Sequence, residues 1–331
     1  MAHNLMIEKG KASMMYTGET PWHKLGTKLS SPASSAEAIK AAGLDWKVTK
    51  KRLFAIDGGD ILKTDKFAVV RQDLWGKQDC KTLGVVSDAY TPVQNEDAFS
   101  FFDNIVGKGE AIYHTAGALG DGERIWILAK LPNDIVVKGD DVLNKFLLMA
   151  NGHDGTLSVQ IKFTPIRVVC QNTLTQALNT DSSGLKISHS RNVHNRLADA
   201  ATTLGIIQTR FDDLEKMFKQ MAEKKLNTDK LSEYHQRVFP VPKVIKTKDD
   251  EAKTRMMEKM KTESAHYFAE GFGNDMEGIK GTLWAAYNGI TEYIDHHREA
   301  KNGVDKLNYI WFGGGHAIKA KAYNEALLLL K

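Results

Sequence analysis

The feature that most constrains this chain is a change of hydrophobic period near residue 190. Before it, apolar residues alternate with polar ones in short β-branched or aromatic runs, a period of two that suits half-buried strands. After it, the spacing becomes three and four, the period of a helix with one buried face. WKVTKKRLFAI and DKFAVVRQ flank Asp57-Gly58-Gly59-Asp60, which predicts a hairpin, and KTLGVVS predicts a further strand. EAIYHTAGALGDGERIWILAKLP reads as two strands about a Gly-Asp-Gly turn, followed by a short strand at Asp134–Lys138. NKFLLMANGHDGTLSVQIKFTPIRVVCQ reads as another pair, turning at Asn151–Gly155.

Helices punctuate this block. Ser34 and Ser35 cap AEAIKAAGL, which Gly43 ends. Asn95 caps a helix over 94–107 with Ala98, Phe101, Phe102 and Ile105 on its apolar face. NTLTQALN predicts a helix that closes the block. The expected class is α+β: an antiparallel sheet with flanking helices in the N-terminal half and long helices in the C-terminal half. The expected organisation is a lead-in over 1–45, an antiparallel α+β domain over 46–190, and a mainly helical region over 191–331 packed on it.

In the second half, Val193, Leu197, Ala200, Leu204, Ile207, Phe211, Leu214, Phe218 and Met221 follow a near-continuous heptad. The pattern predicts one helix of roughly 45 Å. It either forms a coiled coil in a homo-oligomer or packs on its own domain. Leu226–Pro242, with Pro240 and Pro242, reads as a connection. Charged amphipathic helices follow, and Gly313-Gly314-Gly315 opens a terminal helix.

Composition removes several function classes. With 42% hydrophobic and 26% charged residues, the chain can bury a core without staples. Cys80 and Cys170 lack CxxC spacing, which argues against a disulfide scaffold or zinc finger. No run approaches the roughly 20 apolar residues of a membrane helix, and no signal peptide is visible, so a cytoplasmic location is expected. A net charge of +4 does not by itself announce nucleic acid.

The distribution of that charge is more informative. Between residues 155 and 198 stand Lys162, Arg167, Lys186, Arg191 and Arg196, against the single acid Asp181. Lys162 and Arg167 flank a corner at Thr164-Pro165, and the others follow in a Ser/Asn-rich segment with His189 and His194. Such donors suit phosphate contacts that position nucleic acid without reading its bases. Phe163 adds a ring on which an unpaired base could stack, so single-stranded DNA is the favoured partner. The alternative is a solvated positive patch with no partner.

Other constellations fare worse. Cys170 sits in an alternating IRVVC run, where a cysteine behaves as a small buried hydrophobe. His296 and His297 are adjacent, about 100° apart on a helix, and cannot chelate as an i, i+4 pair would. The glycine loop before Lys319 and Lys321 reads as an anion cradle or a flexible turn, and it lacks a P-loop's Lys-Ser/Thr. No catalytic residue, metal or cofactor is assigned.

PWHKLG (Pro21–Gly26), YTPVQNEDAF (Tyr90–Phe99), GERIWILAKLP (Gly122–Pro132), ANGHDGTLSVQIKFTPIRVVCQNTL (Ala150–Leu174) and GTLWAAYNGITEYIDHHR (Gly281–Arg298) stand in an order with a known counterpart. Together they resemble the phage- and plasmid-like proteins grouped as domain of unknown function 932. The resemblance implies a mobile-element origin and a bacterial host cytoplasm, and it carries over no activity and no catalytic residue. The order helix, hairpin, hairpin, helix over 94–107, 110–131, 145–170 and 171–180 is also similar to the core of single-strand annealing proteins. Those proteins bind DNA along a basic groove and form rings.

The expected function is therefore a non-enzymatic nucleic-acid-binding protein in recombination, repair or replication. Lys162, Arg167, Lys186, Arg191 and Arg196 would contact phosphates, with Phe163 and His189 as secondary candidates. A protein that docks on a host defence or metabolic factor is the alternative. An enzyme with a scattered site is a third reading.

Overall fold

In the computed structural model, the period-two half becomes a central seven-stranded sheet. The structure describes residues 5–18, 24–30, 33–106, 112–167, 169, 172–173, 185–203, 207–242, 244–298, 306–311 and 313–331. Across the sheet the strands run Leu185–Ile187, Val159–Phe163, Phe146–Gly152, Arg124–Lys130, Ile112–Leu119, Met14–Thr17 and Thr27–Leu29. All neighbours are antiparallel except the last pair, in which Met15 lies opposite Thr27 in a parallel register. The predicted turns close the two central hairpins, with Leu119 opposite Arg124 and Ala150 opposite Gln160.

Strand alternation divides the core between the two faces of this sheet. Met15, Ala116, Ile127, Met149, Ile161 and Ile187 belong to one large buried cluster. Met14, Tyr16, Trp126, Leu128 and Leu148 form a smaller cluster on the opposite face. The helices α1 (Ser35–Ala41) and α2 (Asn95–Val106) pack on the first face. For α1 the predicted start is a capping box in which Ser34 and Glu37 satisfy each other's backbone amides.

Two further sheets sit beside this one. Val48–Asp57, Asp60–Arg71 and Thr82–Ser87 form a three-stranded sheet, and its first two strands reach past the third as a ribbon. Its root is fixed to the body. The Gln94 side chain takes both backbone groups of Val48, at 2.9 and 3.1 Å. Gly84 passes so close to Asp154 that a Cβ there would lie 2.4 Å from the Asp154 carbonyl oxygen. A four-stranded sheet joins Ile135–Lys138, Asp141–Asn144, Ile166–Arg167 and Asn172–Thr173.

The second half is helical, as its period requires. It contains α3 (Val193–Thr203), α4 (Ile207–Glu223), α5 (Thr228–Val238), α6 (Lys248–Glu270), α7 (Leu283–Glu292), α8 (Lys306–Trp311) and α9 (Gly314–Leu330). A π turn, Tyr293–His297, extends α7. The heptad positions Val193, Leu197, Phe211, Leu214, Phe218 and Met221 are buried within the chain's own core. There α3 packs on α2 and the strand Leu185–Ile187, whereas α4 packs on α7, α9 and Ile135–Lys138. Residues 204–206 lie outside the described residues, so the heptad is seen as two helical segments.

Four expectations are corrected. The segment expected as a lead-in is part of the fold, because Met14–Thr17 is an interior strand of the central sheet. Its MMYT sequence is buried on both faces and so shows no alternation. Leu226–Pro242 is not merely a connection, because Asn227 caps α5 by accepting from the Lys230 amide. Asn172–Thr173 pairs as a strand with Ile166–Arg167, so the helix predicted over NTLTQALN does not start there; its remaining residues lie outside the described ones. The comparison with annealing proteins therefore loses its closing helix at those two positions.

Candidate functional site

The predicted basic residues do not form one surface. On the central sheet, Gln160 lies opposite Lys186, and Lys162 follows two residues later on the same face. Ile161 and Ile187 point the other way, into the core that receives Val193 and Leu197 of α3. The sheet thus separates Lys162 and Lys186 from the helix that carries Arg196. Arg196 is exposed on α3, and Arg191 just before it is paired at 3.1 Å with Asp88.

Arg167 is not at the surface. Its side chain is fully buried, and its Nε and Nη2 donate to the two oxygens of Asp141 at 2.8 and 2.7 Å. Nη1 donates to the Phe272 carbonyl and to Asn274 Oδ1, and Nη2 also donates to the Gly273 carbonyl. Trp284 Nε1 donates to Asp141 at 2.8 Å. With every polar edge spent inside, this guanidinium has nothing left to offer a phosphate. Its assignment as a phosphate contact is corrected: Arg167 welds the small sheet to the start of α7.

His189 is likewise held inside. It stacks on Tyr90 with ring centroids 4.7 Å apart, and its Nδ1 lies 3.2 Å from the Thr91 carbonyl. Burial pushes its pKa down. Nearby His153 is buried, contacts Asn95 Oδ1 at 2.9 Å, and is driven down to about 3, first by burial and then by His189. The Asn-Gly-His-Asp-Gly block is therefore an anchor. Asn151 donates to the Val93 carbonyl, His153 meets Asn95, the first residue of α2, and Asp154 binds Arg124 and the Thr156 amide. Phe163 lies opposite Leu147 in the strand register, and its side chain is outside the described atoms.

Lys162 does acquire a partner that sequence reasoning missed. The Lys162 Nζ lies 3.4 Å from His316 Nε2 and 3.4 Å from the Trp311 carbonyl, at the junction of α8 and α9. His316 follows the glycine triplet, so the basic segment and the glycine loop meet in space although about 150 residues separate them. Burial, then Lys186 and Lys319, push Lys162 down to about 8. Burial, then Lys162, Lys319 and Lys186, push His316 to about 3, so it stays neutral and accepts from Lys162. No local signal marks His316, because the contact depends on how α9 docks.

The glycines have a packing role of their own. A Cβ on Gly315 would lie 2.7 Å from the Tyr309 ring, so the triplet lets α8 close on α9. Of the two lysines that follow, Lys319 is engaged inside the fold. It is fully buried and paired with Asp295 of the π turn at 2.7 Å. Asp295 therefore serves an ion pair, and Glu292 binds the Phe272 amide at 3.0 Å with burial raising it to about 7. Among the described residues no group of three or more His, Cys, Asp or Glu is placed to hold a metal ion. Cys170 lies outside them.

A cleft of about 410 Å³ opens beside α1 and α2, lined by Ser35, Ile39, Lys40, Trp46, Gln94 and Phe99 among others. None of the predicted residues borders it. No helix among the described residues is long and apolar enough to cross a membrane. A family model described as a domain of unknown function (DUF932) matches residues 82–311. No curated protein and no solved structure matches the chain.

Proposed function

The chain belongs to the DUF932 family, whose function is unknown, and from that premise we propose a non-enzymatic nucleic-acid-binding protein that holds backbone phosphates at the Lys162–Lys186–His316 corner. One observation carries the reading: the Lys162 Nζ reaches His316 at the glycine-rich start of α9, and Lys186 lies on the same face of the sheet. Lys162 meets a neutral ring there, and a phosphate placed between it and Lys186 would be held by two cations. The Gly313–Gly315 start of α9 adds backbone N–H groups at the positive end of a helix beside His316. Single-stranded DNA is the favoured form, with Arg191 and Arg196 as separate, weaker contacts.

Fluorescence anisotropy against labelled single- and double-stranded oligonucleotides tests this. Binding is expected at low salt, falling steeply as salt rises. Lys186→Glu is expected to weaken it evenly across sequences and to lower the salt slope by about one. No binding at low salt overturns the reading. The alternative, docking on a host protein, predicts a partner whose binding ignores charge reversal at Lys186.

A further inference from the structure

The ribbon formed by Val48–Asp57 and Asp60–Arg71 ends in apolar side chains that nothing in the described chain covers. Phe54, Ile56, Ile61 and Leu62 are 53, 74, 69 and 62% exposed. Ile56 lies opposite Ile61, and Phe54 lies opposite Lys63, on one face of the ribbon. Val48–Asp57 is also an edge strand. Its root is sealed by Gln94, which takes the outward N–H and C=O of Val48. With period two, Lys50, Arg52, Phe54 and Ile56 aim their backbone groups out of the same edge. Leu53 aims inward, where its carbonyl accepts from Thr64 Oγ1 at 2.8 Å. The register irregularity falls on the other strand, three residues against one between the Arg52 and Phe54 pairs. The open edge is therefore regular and able to template a further strand.

Charge selects the occupant. The tip carries Asp57 and Asp60, opposite each other in the register, and the root carries Lys50, Lys51 and Arg52. An acidic tip repels a phosphate backbone and resists burial in a lipid surface. It is complementary to the ribbon's own root, reversed. We propose that this edge pairs antiparallel with the same edge of a second copy, about a two-fold axis at Phe54.

In an isologous sheet pairing, opposed residues must share a face, so the residue numbers of each pair sum to an even value. The register centred on Phe54 places Lys51 opposite Asp57 of the second copy twice over. It also sets Arg52 opposite Ile56 with outward backbone groups facing each other. Phe54 meets its own copy, and the apolar strip Ile61–Ile56–Phe54 continues across the axis.

Sedimentation equilibrium of the full chain tests the pairing. A concentration-dependent dimer is expected. Asp57→Lys is expected to weaken it by about tenfold or more, since it turns two cross-strand attractions into repulsions. Adding Lys51→Asp to Asp57→Lys restores the attraction with the charges exchanged, and dimerisation should return. Phe54→Cys, in a chain with Cys80→Ser and Cys170→Ser, should form a disulfide-linked dimer on mild oxidation. A chain that stays monomeric, a dimer indifferent to Asp57→Lys, or a charge exchange that fails to rescue would each overturn the proposal.

Discussion

Lys162 and Arg167 stand five residues apart in the same basic segment and meet opposite fates. Arg167 is enclosed with a matched carboxylate, Asp141, and with acceptors from Phe272, Gly273 and Asn274. Lys162 is pressed against a neutral imidazole and the Trp311 carbonyl, and burial, then Lys186 and Lys319, lower its pKa. A positive charge that has been neutralised inside the fold is architecture. The proposed phosphate contact is the one that faces a neutral group. The teaching is that charge counted along a chain says little until each charge has been matched to what faces it.

The comparison breaks first at Arg167. Arg167→Ala leaves Asp141 buried without its partner and is expected to cost about 3–5 kcal/mol in urea unfolding. A loss below about 1 kcal/mol would mean the pocket is wetter than its geometry implies. Acid is the next largest effect. His153 falls from an ordinary value of 6.5 to about 3, and His235 to about 4, both chiefly by burial. Below 6.5 the unfolded chain takes up protons that these folded sites refuse, so stability drops as pH falls. For His153 alone the loss at pH 5 is about 2 kcal/mol. Thermal melts at pH 7 and pH 5 read it, and a His153→Gln variant that folds should show a shallower pH dependence.

Lys162 gives the smallest effect and the opposite sign. Lys162→Met removes a crowded charge and keeps the aliphatic stem, so the melting temperature should rise, by the equivalent of about 1 kcal/mol. In the unsubstituted chain, phosphate affinity should fall as pH rises through about 8, where Lys162 gives up its proton. An affinity flat across that range would locate the anion contact elsewhere.

Much of the fold was legible because its signals are local. Alternation plus Asp57-Gly58-Gly59-Asp60 defines the ribbon, and Ser34 with Glu37 defines the start of α1. Met14–Thr17 was not legible, since a strand buried on both sides has no polar beat to read. Arg167 was misread for a different reason. Its carboxylate lies 26 residues away and its remaining acceptors lie more than 100 away, so only the assembled core reveals them. His316 belongs to the same class: nothing beside it in the chain foretells a lysine from the central sheet.

The tight passing of Gly84 under Asp154 has a mechanical consequence. Glycine's missing side chain allows the three-stranded sheet to be bolted to the body at its base, so the ribbon cannot swing there as a tether would. From the last paired position of the third strand to the tip is about six residues, a cantilever of roughly 20 Å. A beam clamped at one end delivers its tip to a fixed place. Any molecule that grips the far end also feels for the body behind it, at a distance set by strand geometry rather than by chain entropy.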